Sequence, residues 1–280
     1  MIAMTTKIWL LLVLTKTVSS FKEESVNFVC TKTSLNETKS DLAEIIDLKR
    51  RVTKLEEKRN TSCGTLQPSV FGKDCLELFD KGERNDGVYR ISPDDGCPFD
   101  VYCDMTSGGW TVMQRRKDGS VSFKRTWTEY AQGFGDLEGD FWLGLNNIHR
   151  LTKDGSQIYI HLQHYNGSWL YAHYKDFTVN NAATAYRMNV DKYGFEGTTP
   201  EIFGYHDNMK FSTHERDNDN YGTSCSVSLH GDSGWWFNAC YYLNPNGMYN
   251  FKGTGGLSYY SGGIIYMKNS VIKLKRNNSC

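Results

Sequence analysis

The chain has 280 residues, in which 32 basic side chains balance 32 acidic ones and 14% of positions are aromatic. That balance supplies no basic field for a nucleic-acid backbone to answer. After the N-terminal run, no segment approaches the ~18 apolar residues of a membrane span, so membrane insertion is not expected.

In chain order, the first element is residues 1–20, where Lys7 precedes the apolar run 8–14 and a small-residue exit at Val18, Ser19 and Ser20. This is the pattern of a signal peptide, the alternative being a buried N-terminal helix; it predicts a secreted, extracellular protein. Residues 21–62 contain no Gly or Pro, and Ile45, Leu48, Val52 and Leu55 follow the 3-4-3 spacing of a coiled-coil seam. The stretch is either a short helical stalk that joins copies of the protein through residues 30–62 or an ordinary amphipathic segment. From residue 63 to 280 the texture changes to a single large domain. β-type segments are predicted at 110–114, 158–162 and 170–174, and helices at 69–81 and 146–152. Residues 189–263 are mostly Gly, Asn, Asp, Ser and Tyr, a stretch so irregular that a disulfide and a metal are expected to tie it down.

Eight cysteines in an exported protein read as disulfides, although eight allow ~105 pairings and spacing alone does not choose among them. Asn-X-Ser/Thr sequons at Asn36, Asn60, Asn166 and Asn277 permit glycosylation on the same route.

Two clusters carry chemistry. Asp217 and Asp219 stand two residues apart in a Gly/Asn-rich turn, which suits either a calcium ion seeking hard oxygens or an Asx-rich surface turn. No Glu occupies the twelfth position, so the loop is not an EF-hand. Downstream, Trp235, Trp236, Phe237, Tyr241, Tyr242 and Tyr249 surround Cys240, a density that serves either a core or a shallow ligand site. Gly231-Asp232-Ser233-Gly234 has the look of a serine-protease nucleophile loop, but no base motif accompanies it and Trp235 stands where a glycine is needed. The seven histidines lack zinc spacing, and no enzymatic activity is expected.

From about Cys75 to Arg276 the sequence resembles the fibrinogen-related (fibrinogen C-terminal) domain family, which includes ficolins, tachylectin-type lectins, tenascins and angiopoietins. The markers are Asp86-Gly87-Val88-Tyr89, residues 101–105, residues 108–116, residues 139–144, residues 209–213, the Asp217/Asp219 loop, and Gly234-Trp235-Trp236-Phe237. The resemblance implies an α+β fold: a single fibrinogen C-terminal-like domain with a central antiparallel sheet and a loop-rich calcium and ligand subdomain. It implies a Ca2+ ion held by Asp217, Asp219 and the carbonyls of Tyr221 and Thr223. It also implies the pairs Cys75–Cys103 and Cys225–Cys240, with Cys63–Cys97 as a ficolin-type third; Cys30 and Cys280 are left over. Lectin members grip acetyl groups beside the calcium, and the matching positions are Cys240, Tyr241, Tyr260 and Ser261. Tyr241 departs from the usual histidine, and the Cys225–Cys240 loop is two residues longer around residues 229–232, which brings His230 to the pocket's border. The expectation drawn is a secreted, calcium-dependent, oligomeric pattern-recognition lectin of innate immunity for acetylated or related glycans on microbes or cells. The alternative is an extracellular protein-binding ligand or matrix protein of the angiopoietin/tenascin type. No collagen repeat is present.

Overall fold

Residues 156 to 163 alternate strictly. Ser156, Ile158, Ile160 and Leu162 are buried, whereas Gln157, Tyr159, His161 and Gln163 are half-exposed, the period-two signature of a strand with one face on a core. This strand belongs to a computed structural model that describes Ile46, Asp47, Lys49 and residues 72–240 and 242–277. The expected signal segment and the stalk, except three helical positions at Ile46, Asp47 and Lys49, lie outside the described residues. So do Cys30, Cys63, Tyr241 and Cys280.

The unit Leu66–Cys280 is built on one large antiparallel sheet. Its strands are β1 (Gly87–Ile91), β2 (Phe99–Asp104), β3 (Trp110–Arg116), β4 (Phe134–Gly135), β5 (Phe141–Trp142), β6 (Ser156–Gln163), β7 (Trp169–Val179), β8 (Met188–Val190), β9 (Phe195–Gly197) and β13 (Asn269–Arg276). The spatial order β1-β2-β3-β13-β6-β7-β8 puts the last strand in the middle, paired to β3 on one side and β6 on the other. A smaller sheet runs β10 (Leu243–Asn244), β11 (Ser258–Tyr260) and β12 (Ile264–Tyr266).

Four short helices accompany the sheets: α1 (Cys75–Asp80), α2 (Trp127–Gln132), α3 (Leu145–Thr152) and α4 (Cys225–Leu229). Helix α1 begins six residues later than the predicted 69–81, because Asp74 is extended and caps it by accepting the Glu77 N–H at 2.8 Å. Helix α2 was not expected. Its signal was present as a capping box, in which Thr126 and Glu129 each satisfy the other's backbone N–H. The predicted helix at 146–152 is α3, and the three predicted strands lie within β3, β6 and β7.

The core settles what the irregular 189–263 stretch rests on. Trp235, Trp236, Phe237, Phe203 and Phe211 are fully buried with Trp142, Tyr130 and Phe177 from the sheet side. Trp142 Nε1 donates to the Tyr130 carbonyl at 2.9 Å, and Trp236 Nε1 to the Tyr186 carbonyl at 2.7 Å. The Tyr130 hydroxyl, at 2.8 Å from the Phe123 carbonyl, accepts from Gly234 N–H at 2.9 Å. Gln114 of β3 donates to the carbonyl of Pro245 at 2.8 Å and to Ser270 Oγ at 2.9 Å, and Asn246 donates to the Gly234 carbonyl at 2.8 Å. Buried amides thus moor the loops to the sheet, each bond worth about 1 kcal/mol net and more to break on one side.

The other face of β6 and β7 is a ladder of rings. Tyr159 and Tyr171 stack at 5.2 Å, Trp110 lies edge-on to Tyr159 and His173, and His161 leads to Trp169 at 5.8 Å.

Candidate ligand face around the acidic loop

The acidic loop hangs from the core at two points. Asn218 donates its side-chain amide to the Phe211 carbonyl at 2.7 Å, and its backbone N–H meets Ser212 Oγ at 3.0 Å. Asn220 pairs with Asn238 through backbone and side chain, both at 2.9 Å. Between these anchors Asp217 accepts the Asp219 N–H at 3.1 Å, while Asp219 accepts Tyr221 N–H at 2.9 Å and Cys225 N–H at 2.8 Å.

The electrostatics of the loop are one-sided. Burial pushes the Asp219 carboxyl up from the ordinary aspartate value; the Cys225 and Tyr221 N–H groups pull it down, and the adjoining Asp217 carboxylate adds to the upward push. The neighbouring cation does not help: the Arg216 guanidinium lies 3.8 Å over the Trp127 ring. Among the described residues no basic side chain pairs with Asp217 or Asp219, and no third His, Cys, Asp or Glu joins them. The carbonyls of Tyr221 and Thr223 accept no hydrogen bond from the described residues. Two crowded carboxylates and two open carbonyls form a set of hard oxygens with no counter-charge, which is the donor chemistry a calcium ion fits.

Beside the loop, Cys225 and Cys240 are joined, and Cys240 holds φ at +81°, a conformation that costs a residue with a Cβ about 1–3 kcal/mol. Tyr242, next after Tyr241, stacks on Tyr205 at 4.0 Å, and Tyr260 leans on Tyr242 at 5.7 Å with its N–H bonded to the Tyr242 carbonyl at 3.0 Å. Ser261 opens the tight β11–β12 turn by donating its N–H to the Gly263 carbonyl at 2.9 Å. The structure therefore brings Cys240, Tyr260 and Ser261 to one region.

His230 lies deeper. It is 3% exposed and flat on Phe237, with centroids 4.4 Å apart and planes 8° from parallel. Burial, and then the nearby His206, push its pKa down to about 3, while the Cys240 carbonyl works in the opposite direction. The longer loop curls over it through two left-handed residues, Gly231 at φ +65° and Asp232 at φ +59°. A Cβ on Gly231 would come within 2.9 Å of the Gly255 carbonyl, so the close approach of the two loops requires glycine there. The Asp232 carboxylate is drawn to Lys124 at 2.6 Å. The space bounded by His230, Tyr242, Tyr260 and Ile264 has room for about one water, 10 Å³, far below the several hundred Å³ of a small-molecule site. A roomier hollow of 450 Å³ lies by Phe123, Met248 and Tyr249, with Arg116 on its floor already facing Asp140 at 3.4 Å.

The remaining motif residues are structural. Ser233 Oγ, in the loop that looks like a nucleophile turn, donates to the His230 carbonyl at 2.7 Å and contacts Asn244 Oδ1 at 3.0 Å. The pair Cys75–Cys103 is formed. Cys97 is disulfide-bonded, and its expected partner Cys63 lies outside the described residues. Among the described residues no helix is long and apolar enough to cross a membrane.

A sheet with its last strand at the centre, tied by Cys75–Cys103 and flanked by a disulfide-clamped acidic loop, is the plan of a fibrinogen-like globe. The protein belongs to the family described as fibrinogen beta and gamma chains, C-terminal globular domain, which matches residues 71–276. It is 39% identical to angiopoietin-related protein 7 of Homo sapiens over 215 residues, 72% of this chain and 61% of that protein. It is 38% identical to fibrinogen-like protein 1 of Homo sapiens over 227 residues, 73% of this chain and 72% of that one. The match thus spans about three-fifths of angiopoietin-related protein 7. The fibrinogen-like globe domain of human ANGPTL2 superposes with a TM-score of 0.68 at 30% identity, covering 74% of this chain and 99% of that domain. A lamprey fibrin D-dimer solved with the peptide ligand Gly-His-Arg-Pro-amide gives 0.66 at 29%, covering 89% and 91%.

These relatives are angiopoietin-related and fibrinogen-like proteins rather than ficolins. They overturn the expectation of a ficolin-type lectin for acetylated glycans and favour the protein-binding alternative. In physical terms, the histidine of the acetyl grip is a tyrosine at position 241, and the space among His230, Tyr242 and Tyr260 has room for about one water.

Proposed function

We propose that the protein is an extracellular protein-binding ligand, secreted and joined to other copies through residues 30–62, with a binding rather than a catalytic role. The observation that carries this reading is the distribution of exposed apolar side chains. Tyr221, Val227, Met248, Phe251, Tyr260 and Ile264, each between 38% and 55% exposed, all fall between residues 221 and 264, and Tyr260 and Ile264 rim a cleft with room for about one water. Aromatic and aliphatic anchors on a rigid, disulfide-clamped frame suit a protein surface, where a few such residues dominate binding. The likeness to angiopoietin-related proteins, and to a fibrin structure carrying a peptide ligand, supports the same choice. The disulfides at Cys75–Cys103 and Cys225–Cys240 support an oxidising compartment.

We further propose that Asp217, Asp219 and the carbonyls of Tyr221 and Thr223 hold calcium. The ion would neutralise the two carboxylates and stiffen the loop that carries Tyr221.

The test is binding of the labelled protein to cultured cells. Binding is expected to be lost after trypsin treatment of the cells, to survive glycosidase treatment, and to fall at least ~10-fold in Tyr260→Ala/Ile264→Ala. Binding abolished by glycosidase and indifferent to that double substitution would overturn the proposal.

A further inference from the structure

Beyond the ligand face, the turn between β6 and β7 carries the sequon Asn166-Gly167-Ser168 at an exposed tip. The tip is rigid: His164 N–H bonds the Ser168 carbonyl at 2.9 Å, Gly167 N–H bonds the His164 carbonyl at 3.0 Å, and Gln163 Nε2 donates to the Gly167 carbonyl at 3.1 Å. The neighbouring Tyr165 is held under Lys252, whose ammonium lies 4.0 Å from the ring. Within this frame Asn166 Oδ1 accepts from both the backbone N–H and the hydroxyl of Ser168, at 3.0 and 2.8 Å. Its Nδ2 makes no hydrogen bond among the described residues. The carbonyl oxygen is therefore engaged by the serine that the sequon requires, and the nitrogen that would carry a sugar is open. Asn277 differs, because its Nδ2 donates to Asp176 Oδ1 at 3.2 Å.

Three residues on, Trp169 is 48% exposed, the one tryptophan among the described residues left so open. It pairs with Gln163 in register, so it stands on the ring-bearing face of the sheet, at the end of the ladder next to the tip. A large indole in water beside an open glycan acceptor lacks a partner that a sugar ring supplies through its apolar C–H face.

We propose that Asn166 carries an N-linked glycan whose first N-acetylglucosamine lies against Trp169. The inference rests on the extracellular reading above, since the donor is met only on the export route. In the transfer, Asn166 Nδ2 bonds to C1 of the sugar and gives up one proton, which solvent takes. The bond from C1 to the oxygen of a lipid-pyrophosphate oligosaccharide breaks, and lipid pyrophosphate leaves with that electron pair.

The experiment uses two forms of the full-length protein expressed in an N-glycosylating cell. One form keeps its own first twenty residues, and the other has them replaced by a signal sequence of proven export. Failure of the first form alone to reach the medium would count against the secreted reading and leave the second form to test the site. In that form, peptide mapping after peptide-N-glycosidase in heavy-oxygen water is expected to find Asn166 converted to labelled aspartate, and Asn166→Gln and Ser168→Ala each to lose one glycan. An exported, unmodified Asn166 overturns the proposal. For the contact, enzymatic deglycosylation is expected to lower the unfolding midpoint by about 2 °C in the native protein, and to leave Trp169→Ala unmoved. An equal shift in both, or no shift in the native protein, overturns the packing on Trp169.

Discussion

The Asp219 carboxylate accepts the backbone N–H of Cys225 at 2.8 Å. The acidic loop and the Cys225–Cys240 clamp are thereby one mechanical unit. Calorimetry should show a calcium isotherm for the native protein, none for Asp219→Ala, and one weakened at least ~10-fold when Cys225 and Cys240 are both replaced by Ala. The same pair of substitutions opens a loop of 15 residues, which should cost about 3 kcal/mol of stability. An isotherm unchanged in Asp219→Ala would remove calcium from this loop.

Two buried histidines make the fold acid-sensitive. His206, fully buried with Nδ1 2.7 Å from the Trp236 carbonyl, has its pKa pushed down to about 4 by burial, and His230 has its pushed to about 3. Below the ordinary value near 6.5 the unfolded protein binds protons that the folded protein refuses, so stability falls as pH falls from ~6.5 toward 4. The two together should remove about 2–4 kcal/mol between pH 6.5 and 5, each limited to ~1.4 kcal/mol per pH unit. Urea melts at pH 7, 6 and 5 measure this, and His206→Phe should flatten the slope by about half.

Asp94 gives the opposite sign at lower pH. Its hydrogen bonds to Arg150 hold it down to about 2 against the opposing effect of burial, with the Gly96 N–H assisting. The stability it contributes is present above ~4 and is lost as pH falls toward 2. Because the carboxylate keeps some solvent access, Asp94→Asn should cost only about 1 kcal/mol at pH 7, and the two proteins should converge near pH 2 in the same denaturant titration. Arg150 also donates to the Cys97 carbonyl at 2.8 Å, so the variant should loosen that disulfide's surroundings as well.

Gln114 is the bolt between sheet and loops. Gln114→Leu removes the donor to buried Asn246 Oδ1 and leaves the Pro245 carbonyl and Ser270 hydroxyl only their mutual 3.3 Å bond, which should cost about 2–3 kcal/mol. Hydrogen exchange should accelerate at residues 243–247 before it does in β6. Uniform exchange across both would refute the mooring role.

What the sequence disclosed was local. The β-type residues of 158–162 and the apolar residues Ile148 and Leu151 of α3 announced their elements, and the family likeness supplied Cys75–Cys103 and Cys225–Cys240, both formed. The capping box at Thr126 and Glu129 was legible too, although α2 was not among the expected helices. Other features depend on segments distant in the sequence. Arg116 lies over Phe123 at 4.1 Å and faces Asp140, a carboxylate that also collects the N–H groups of Lys117, Asp118 and Gly119. No spacing rule joins positions 24 apart in this way. Likewise the close approach of Gly231 to Gly255 beside His230 joins residues 24 apart, and only the folded backbone shows why glycine is needed there.

The place of β13 bears on how the protein is made. The sheet cannot close between β3 and β6 until residues 269–276 have left the ribosome. Until then, the inner edges of both neighbours stay open to other polypeptides. Contacts this distant in sequence form slowly. Two open strand edges are pairing sites for other chains, so a product truncated before residue 269 should aggregate where the full chain does not, which light scattering on the two proteins checks.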